Sequence, residues 1–151
     1  MRRLMALALA LVLVGSLAGL AIAASSPTKP ATVKTRSNKL GKILVDGRSR
    51  TLYLFEKDKH GKSSCSGTCA KVWAPYLTSG KPTAGSGLSA AKVGTTKRSS
   101  GATQVTYGGH PLYHYDDDHK PGQTEGQGSK EFGAEWYAVG ANGKKIEKPG
   151  S

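Results

Sequence analysis

Two strings sixty positions apart decide how this chain folds: Leu52-Tyr53-Leu54-Phe55-Glu56-Lys57-Asp58 and Leu112-Tyr113-His114-Tyr115-Asp116-Asp117-Asp118. Both read Leu-Tyr-x-aromatic-x-x-Asp. In an extended chain side chains alternate between faces, so Tyr53 and Phe55 share one face and Leu52 and Leu54 the other. Tyr113 and Tyr115 likewise share a face. A short strand that is apolar on both faces is expected to be covered on both sides or packed under a loop. The aspartate falls just past each strand end, in Asp58-Lys59-His60-Gly61 and Asp118-His119-Lys120-Pro121-Gly122. There it is expected to act as an Asx-turn carboxylate accepting backbone N–H groups.

Outward from these strings the likeness continues. Val45 aligns with Val105 at the same offset, and Trp73 and Trp136 occupy similar places at an offset of 63. An internal duplication is the economical explanation. Each unit reads as a β-hairpin. Lys42-Ile43-Leu44-Val45 runs through Asp46-Gly47 into Arg50 to Phe55, and Thr103 to Tyr107 runs through Gly108-Gly109 into Leu112 to Tyr115. Pro111 has no N–H to give a ladder, which puts it at a strand start or an edge. A third hairpin is expected from Trp136 to Ile146, turning at Asn142-Gly143. The stretch from Cys69 to Trp73 can form at most one short helical turn, stopped by Pro75. The fold class expected is therefore mainly β, a small domain of two homologous hairpin repeats.

The 151 residues include 22 Lys+Arg against 10 Asp+Glu, 20 Gly and only 7% aromatic residues. That length excludes a large multidomain enzyme, and the composition argues against a helical bundle. Residues 1–23 open with Arg2-Arg3, continue as an apolar run from Leu4, and end on Ala21-Ile22-Ala23. A charged start, an apolar middle and a small-x-small end describe an export signal. A retained anchor is the alternative, because the stretch is nearly long enough to span a bilayer. No Cys follows Ala23, so no lipid anchor is expected. Residues 24–38 read as a flexible polar leader, 39–78 as the first repeat, 79–101 as a low-complexity connection, and 102–147 as the second repeat.

Without Arg2 and Arg3 the chain keeps 20 basic and 10 acidic residues, a net charge of +10. On a small exported protein this favours polyanionic neighbours, above all anionic cell-wall polymers or a membrane surface. A solvated surface that keeps the protein soluble is the plainer reading, because the bases are scattered singly. Nucleic acid is not expected as a partner, since the aromatics lie in strand strings and are not interleaved with the bases.

These residues resemble a family of bacterial secreted-repeat proteins of unknown function, often lipoproteins, defined by a Y-x-(F/W/Y)-x-x-D motif. The motif falls on Tyr53, Phe55 and Asp58 and again on Tyr113, Tyr115 and Asp118. Cys65-Ser66-Gly67-Thr68-Cys69-Ala70, Trp73-Ala74-Pro75, Gly109-His110-Pro111-Leu112-Tyr113 and Trp136-Tyr137 also match. The resemblance spans residues 40–147. Two departures stand out: the lipobox Cys common in the family is missing, and Ala74 stands where a Pro-Pro pair is usual. The resemblance implies a secreted protein of the cell envelope and brings no established activity with it.

Cys65 and Cys69 are the only cysteines. In an exported chain, two cysteines four apart predict one structural disulfide, with Gly67 allowing the tight loop between them. The alternative is an extracytoplasmic copper or thiol-redox protein, because the C-x-x-x-C spacing is similar to that of copper-delivery proteins of cytochrome-oxidase assembly. Thiolates select copper(I), and His110, His114, Asp116 and His119 would supply further ligands. On a single strand His110 and His114 would stand about 13 Å apart, too far for one ion, whereas His114 and Asp116 would be about 7 Å apart. No cofactor is expected. Catalysis finds no support either: G-x-S-x-G and H-E-x-x-H are absent, and Glu131 and Glu135 sit among polar residues. The expectation is a non-enzymatic binding or structural protein.

Overall fold

The computed structural model describes residues 29–147; the export signal read over 1–23 lies outside them. Strand β1 (Thr32–Asn38) pairs antiparallel with β2 (Gly41–Val45), with Lys34 opposite Val45 and Arg36 opposite Ile43. After the Asp46–Arg50 loop comes β3 (Tyr53–Phe55), then a short helix α1 (Thr68–Val72) running directly into β4 (Trp73–Pro75). A two-residue strand β5 (Thr83–Ala84), a single 3-10 turn (Ala90–Lys92) and β6 (Val93–Lys97) lead to β7 (Thr103–Tyr107). The chain closes with β8 (His110–Pro111), β9 (Tyr113–Tyr115), a 3-10 turn (Glu131–Gly133) and β10 (Trp136–Ala138).

These strands form three small sheets, ordered β2-β1-β5, β10-β3-β9-β4 and β6-β7-β8. The mainly β fold and the short helical turn near Cys69 match the sequence reading.

The central sheet is built around a local two-fold relation. Strands β3 and β9 meet antiparallel with Tyr53 opposite Tyr113, one motif tyrosine facing the other. On the outer side of β3, Trp136 of β10 stands opposite Phe55; on the outer side of β9, Trp73 of β4 stands opposite Tyr115. Backbone bonds repeat the relation. Leu52 N–H donates to Leu44 O and Leu112 N–H to Val105 O, while Val139 N–H donates to Leu52 O and Tyr76 N–H to Leu112 O. Each repeat thus supplies one inner strand and lends its tryptophan strand to the other repeat's inner strand.

The face alternation holds. Tyr53 and Phe55 enter one core cluster with Trp73, Tyr113 and Trp136, whereas Leu52 and Leu54 enter a second with Val33, Leu44, Val105 and Leu112. The central sheet is therefore covered on both sides.

Two boundaries and one strand pairing differ from the sequence reading. The polar leader placed over 24–38 becomes strand from Thr32, because Val33 alternates with β-branched and polar residues and is fully buried. The ladder to β2, the Ala31 N–H bond to Thr78 Oγ1 and the Tyr76 hydroxyl against Thr32 hold that strand where side-chain burial is sparse. The connection placed over 79–101 contains β5 and β6, so the second unit also begins with a paired strand. The two motif strands also do not pair chiefly with their hairpin neighbours. β2 takes β1, and β3 takes β9 and β10; what remains of the first hairpin is the Val45–Thr51 bridge and the Leu52–Leu44 bond. The third hairpin forms as expected, bridged at Val139 and Lys145.

Candidate functional site

The motif residues converge at the centre of the molecule, and they do so across the repeats. Tyr53 Oη donates to Asp118 Oδ2 at 2.5 Å, and Tyr113 Oη lies 2.7 Å from Asp58 Oδ2. Each aspartate also accepts a backbone N–H, Asp58 from Ser64 and Asp118 from Glu125, both at 2.8 Å. These donors are six and seven residues on, well beyond the reach of the Asx turn expected from sequence. The carboxylates are bridges between the halves, joining a loop of one repeat to a phenol of the other.

Electrostatics follow from burial. Both phenols are fully buried, and burial together with the facing carboxylate pushes Tyr53 and Tyr113 above the ordinary tyrosine range. Burial also raises the Asp118 carboxyl, outweighing the bonds from Tyr53 and Glu125 that favour its charged form.

Beside these pairs runs a column of rings. Phe55 stacks on Trp136 at 3.9 Å and Trp136 on Trp73 at 3.9 Å, and Tyr115 lies tilted against Trp73 at 4.4 Å between centroids. Tyr53 meets Trp73 edge-on and Tyr113 meets Trp136 edge-on. The aromatic of each motif therefore lies against the tryptophan of the other repeat. Both indole N–H groups end on Glu131, Trp73 on its carboxylate at 3.1 Å and Trp136 on its carbonyl at 3.0 Å. No local sequence pattern announces that Glu131 receives two tryptophans.

Cys65 and Cys69 form a disulfide with Cα atoms 5.3 Å apart, and both are buried against this same core. The segment before it is tied down from several sides. Ser63 Oγ lies 2.7 Å from the Tyr113 hydroxyl and accepts from Arg98 Nη1 at 2.9 Å, while Arg98 also donates to Gln104 Oε1 and to Cys65 O.

The proposed metal ligands do not gather. His114 lies in β9 with its Nε2 3.0 Å from Asp46 Oδ2, inside the fold, and the Tyr76 ring meets it edge-on. Asp46 Oδ1 meanwhile accepts the Arg48 and Arg50 N–H groups of its own loop. Burial raises the Asp46 carboxyl, but the bonds from His114, Arg50 and Arg48 outweigh it and hold the group below the ordinary range. His110 belongs to a different strand and lines a cleft of about 360 Å³ with Glu56, Asp58, Lys59, Lys144 and Lys145, where burial lowers its imidazole. Asp116 and His119 are exposed. Among the described residues no three His, Cys, Asp or Glu side chains converge to hold a metal ion. The sulfurs of the candidate copper pair are joined to each other, so they offer no thiolates.

Among the described residues no helix is long and apolar enough to cross a membrane. No curated protein and no solved structure matches this sequence. A family model described as a secreted repeat of unknown function matches residues 34–76 and again 94–140. Each match takes in one Tyr-x-aromatic-x-x-Asp string together with the strand that precedes its hairpin. With two matched units meeting across a shared sheet and exchanging tyrosine–aspartate bonds, the chain belongs to this family of secreted repeats.

Proposed function

We propose that this extracytoplasmic protein is a non-enzymatic module of the cell envelope that associates with anionic wall polymers through its basic surface. The observation that carries the reading is how the charges are distributed. Of the 10 carboxylates, Asp46, Asp58 and Asp118 turn inward to His114, Tyr113 and Tyr53, while Glu56 and Glu135 face Lys145 and Lys130. Lys34, Lys42, Lys57, Lys62, Lys71 and Lys120 are all exposed. With Asp46 and Asp118 buried, the surface offered to solvent is more positive than the sequence balance alone conveys, and a field of that sign draws polyanions.

The chemistry of the centre agrees with a non-enzymatic role. The groups that could transfer protons, Tyr53, Tyr113, Asp118 and His114, are buried and held by bonds inside the fold, Tyr53 to Asp118, Tyr113 to Asp58 and His114 to Asp46. They brace the fold. The test is retention of the mature protein on purified cell wall across a salt series. Retention that falls steeply with salt is expected, because screening weakens exposed charge pairs. Retention indifferent to salt, or none at all, overturns the proposal.

A further inference from the structure

A small polar pocket of about 140 Å³ opens beside the disulfide, lined by Ser63, Ser64, Cys65, Ser66, Arg98 and Ser99. Its lining holds one cation and several hydroxyls and no carboxylate, unlike the larger cleft that carries Glu56 and Asp58. Arg98 is fixed before any ligand arrives: its Nη1 donates to Ser63 Oγ at 2.9 Å and Gln104 Oε1 at 2.7 Å, and its Nη2 to Cys65 O at 2.5 Å. Gln104 is itself fully buried and donates to Leu112 O. A guanidinium has five N–H donors. The three named bonds leave Nε–H and one Nη2–H without a protein acceptor among the described residues. Ser66 and Ser99 are exposed on the two segments that form the pocket, and their hydroxyls have no protein partner among the described residues.

We infer that this pocket binds a tetrahedral oxyanion, the phosphate group of a phosphodiester or of free phosphate. Arg98 supplies the charge-assisted bonds, and Ser66 and Ser99 add hydroxyl donors from the two sides. Donors that converge from separate segments around a fixed guanidinium suit a tetrahedral group, and a rigid arginine loses little freedom on binding it. Asp58 is bonded to Ser64 of the lining but is not itself part of it. It accepts the Ser64 N–H and Oγ–H at 2.8 Å each and the Tyr113 phenol at 2.7 Å, so both of its oxygens are already engaged by protein donors. The inference rests on the wall-association reading only for the source of the phosphate, and the disulfide gains a role as the clamp that holds one wall of the site.

The mature protein titrated with inorganic phosphate, followed by amide NMR, tests the site. Saturable shifts confined to the amides of residues 63–66 and 98–99 are expected. Arg98 also anchors Ser63, so the deciding variant is Ser99→Glu, which places a carboxylate at the mouth from an exposed position; its fold is checked by near-ultraviolet circular dichroism. A loss of affinity of about tenfold or more is expected, the scale of one charge-assisted hydrogen bond. Unchanged phosphate affinity in Ser99→Glu, or shifts spread over the exposed lysines, overturns the pocket. Purified wall and phosphatidylglycerol vesicles, run in parallel, separate a wall phosphodiester from a lipid headgroup as the source. Salt-sensitive wall retention that survives Ser99→Glu overturns the pocket as the anchor and leaves wall association standing. Phosphate binding in the pocket without wall retention does the reverse.

Discussion

Tyr53 and Asp118 come from different repeats, yet they make a buried hydrogen bond of 2.5 Å, and Tyr113 and Asp58 make its counterpart at 2.7 Å. The residues that define the motif therefore act between units and not within them. A tyrosine reaches across the β3–β9 contact to the carboxylate that ends the opposite strand, and that carboxylate in turn anchors its own following loop.

The two bonds are expected to be unequal in worth. Asp118 is buried and has only the phenol and the Glu125 N–H, whereas Asp58 is partly exposed and takes two bonds from Ser64 besides its phenol. Removing the hydroxyl in Tyr53→Phe leaves a buried acceptor without its partner, at a cost of about 1–3 kcal/mol. Tyr113→Phe should cost less, because solvent can reach Asp58. Urea unfolding of both variants measures the difference; equal losses would show that burial of the acceptor does not set the cost.

Gly126 is required by space. A Cβ there would stand 2.6 Å from Trp73 Cη2 and 3.0 Å from the Tyr115 ring, whereas one on Gly47 would meet nothing within 4 Å. Gly126→Ala should therefore destabilise by about 1–3 kcal/mol through overpacking and disturb the tryptophan circular dichroism. Gly47→Ala serves as the control and should leave both unchanged. A silent Gly126→Ala would mean that the ring column gives way without strain.

Acid should act on two carboxylates with opposite signs. The folded value of Asp46 lies below its ordinary 3.8, so its contribution is full above that pH and is lost as pH falls through the folded value. The folded value of Asp118 is raised, so protonation of this group in the fold adds stability as pH falls toward 3.8 from above. Stability measured against pH should lose its low-pH fall in Asp46→Asn and its higher-pH rise in Asp118→Asn. Parallel curves for wild type and Asp46→Asn would contradict the Asp46–His114 account.

The disulfide should resist reductant in the folded protein, since Cys65 and Cys69 are 1% and 7% exposed. Thiol release is expected only as denaturant opens the fold. Replacing both cysteines with serine should cost about 2 kcal/mol, the chain-entropy value for so short a loop. Ready reduction without denaturant would argue for an accessible redox pair in place of a structural one.

Much of this was legible from residues alone. The alternation of Leu52, Tyr53, Leu54 and Phe55 gave the two-sided strand, and the repeated string gave the duplication, because both are local patterns. The strand at Thr32 was not, since Val33 is its only large apolar residue and its stability comes from backbone pairing with a neighbour. The partners of Asp58 and Asp118 were also hidden. Their sequence context suggests a local turn, while the phenols that complete them stand 55 and 65 positions away. Arg98 lay in a stretch that read as featureless, and only the fold brings it to Ser63 and Cys65.

The exchange of partners constrains how such chains can grow. A solitary copy would leave its tyrosine without an acceptor and its tryptophan without the ring it lies against. A third copy added to this pair would be in the same position. In this chain each unit is thus completed only by the other, so the two should fold and unfold as a couple.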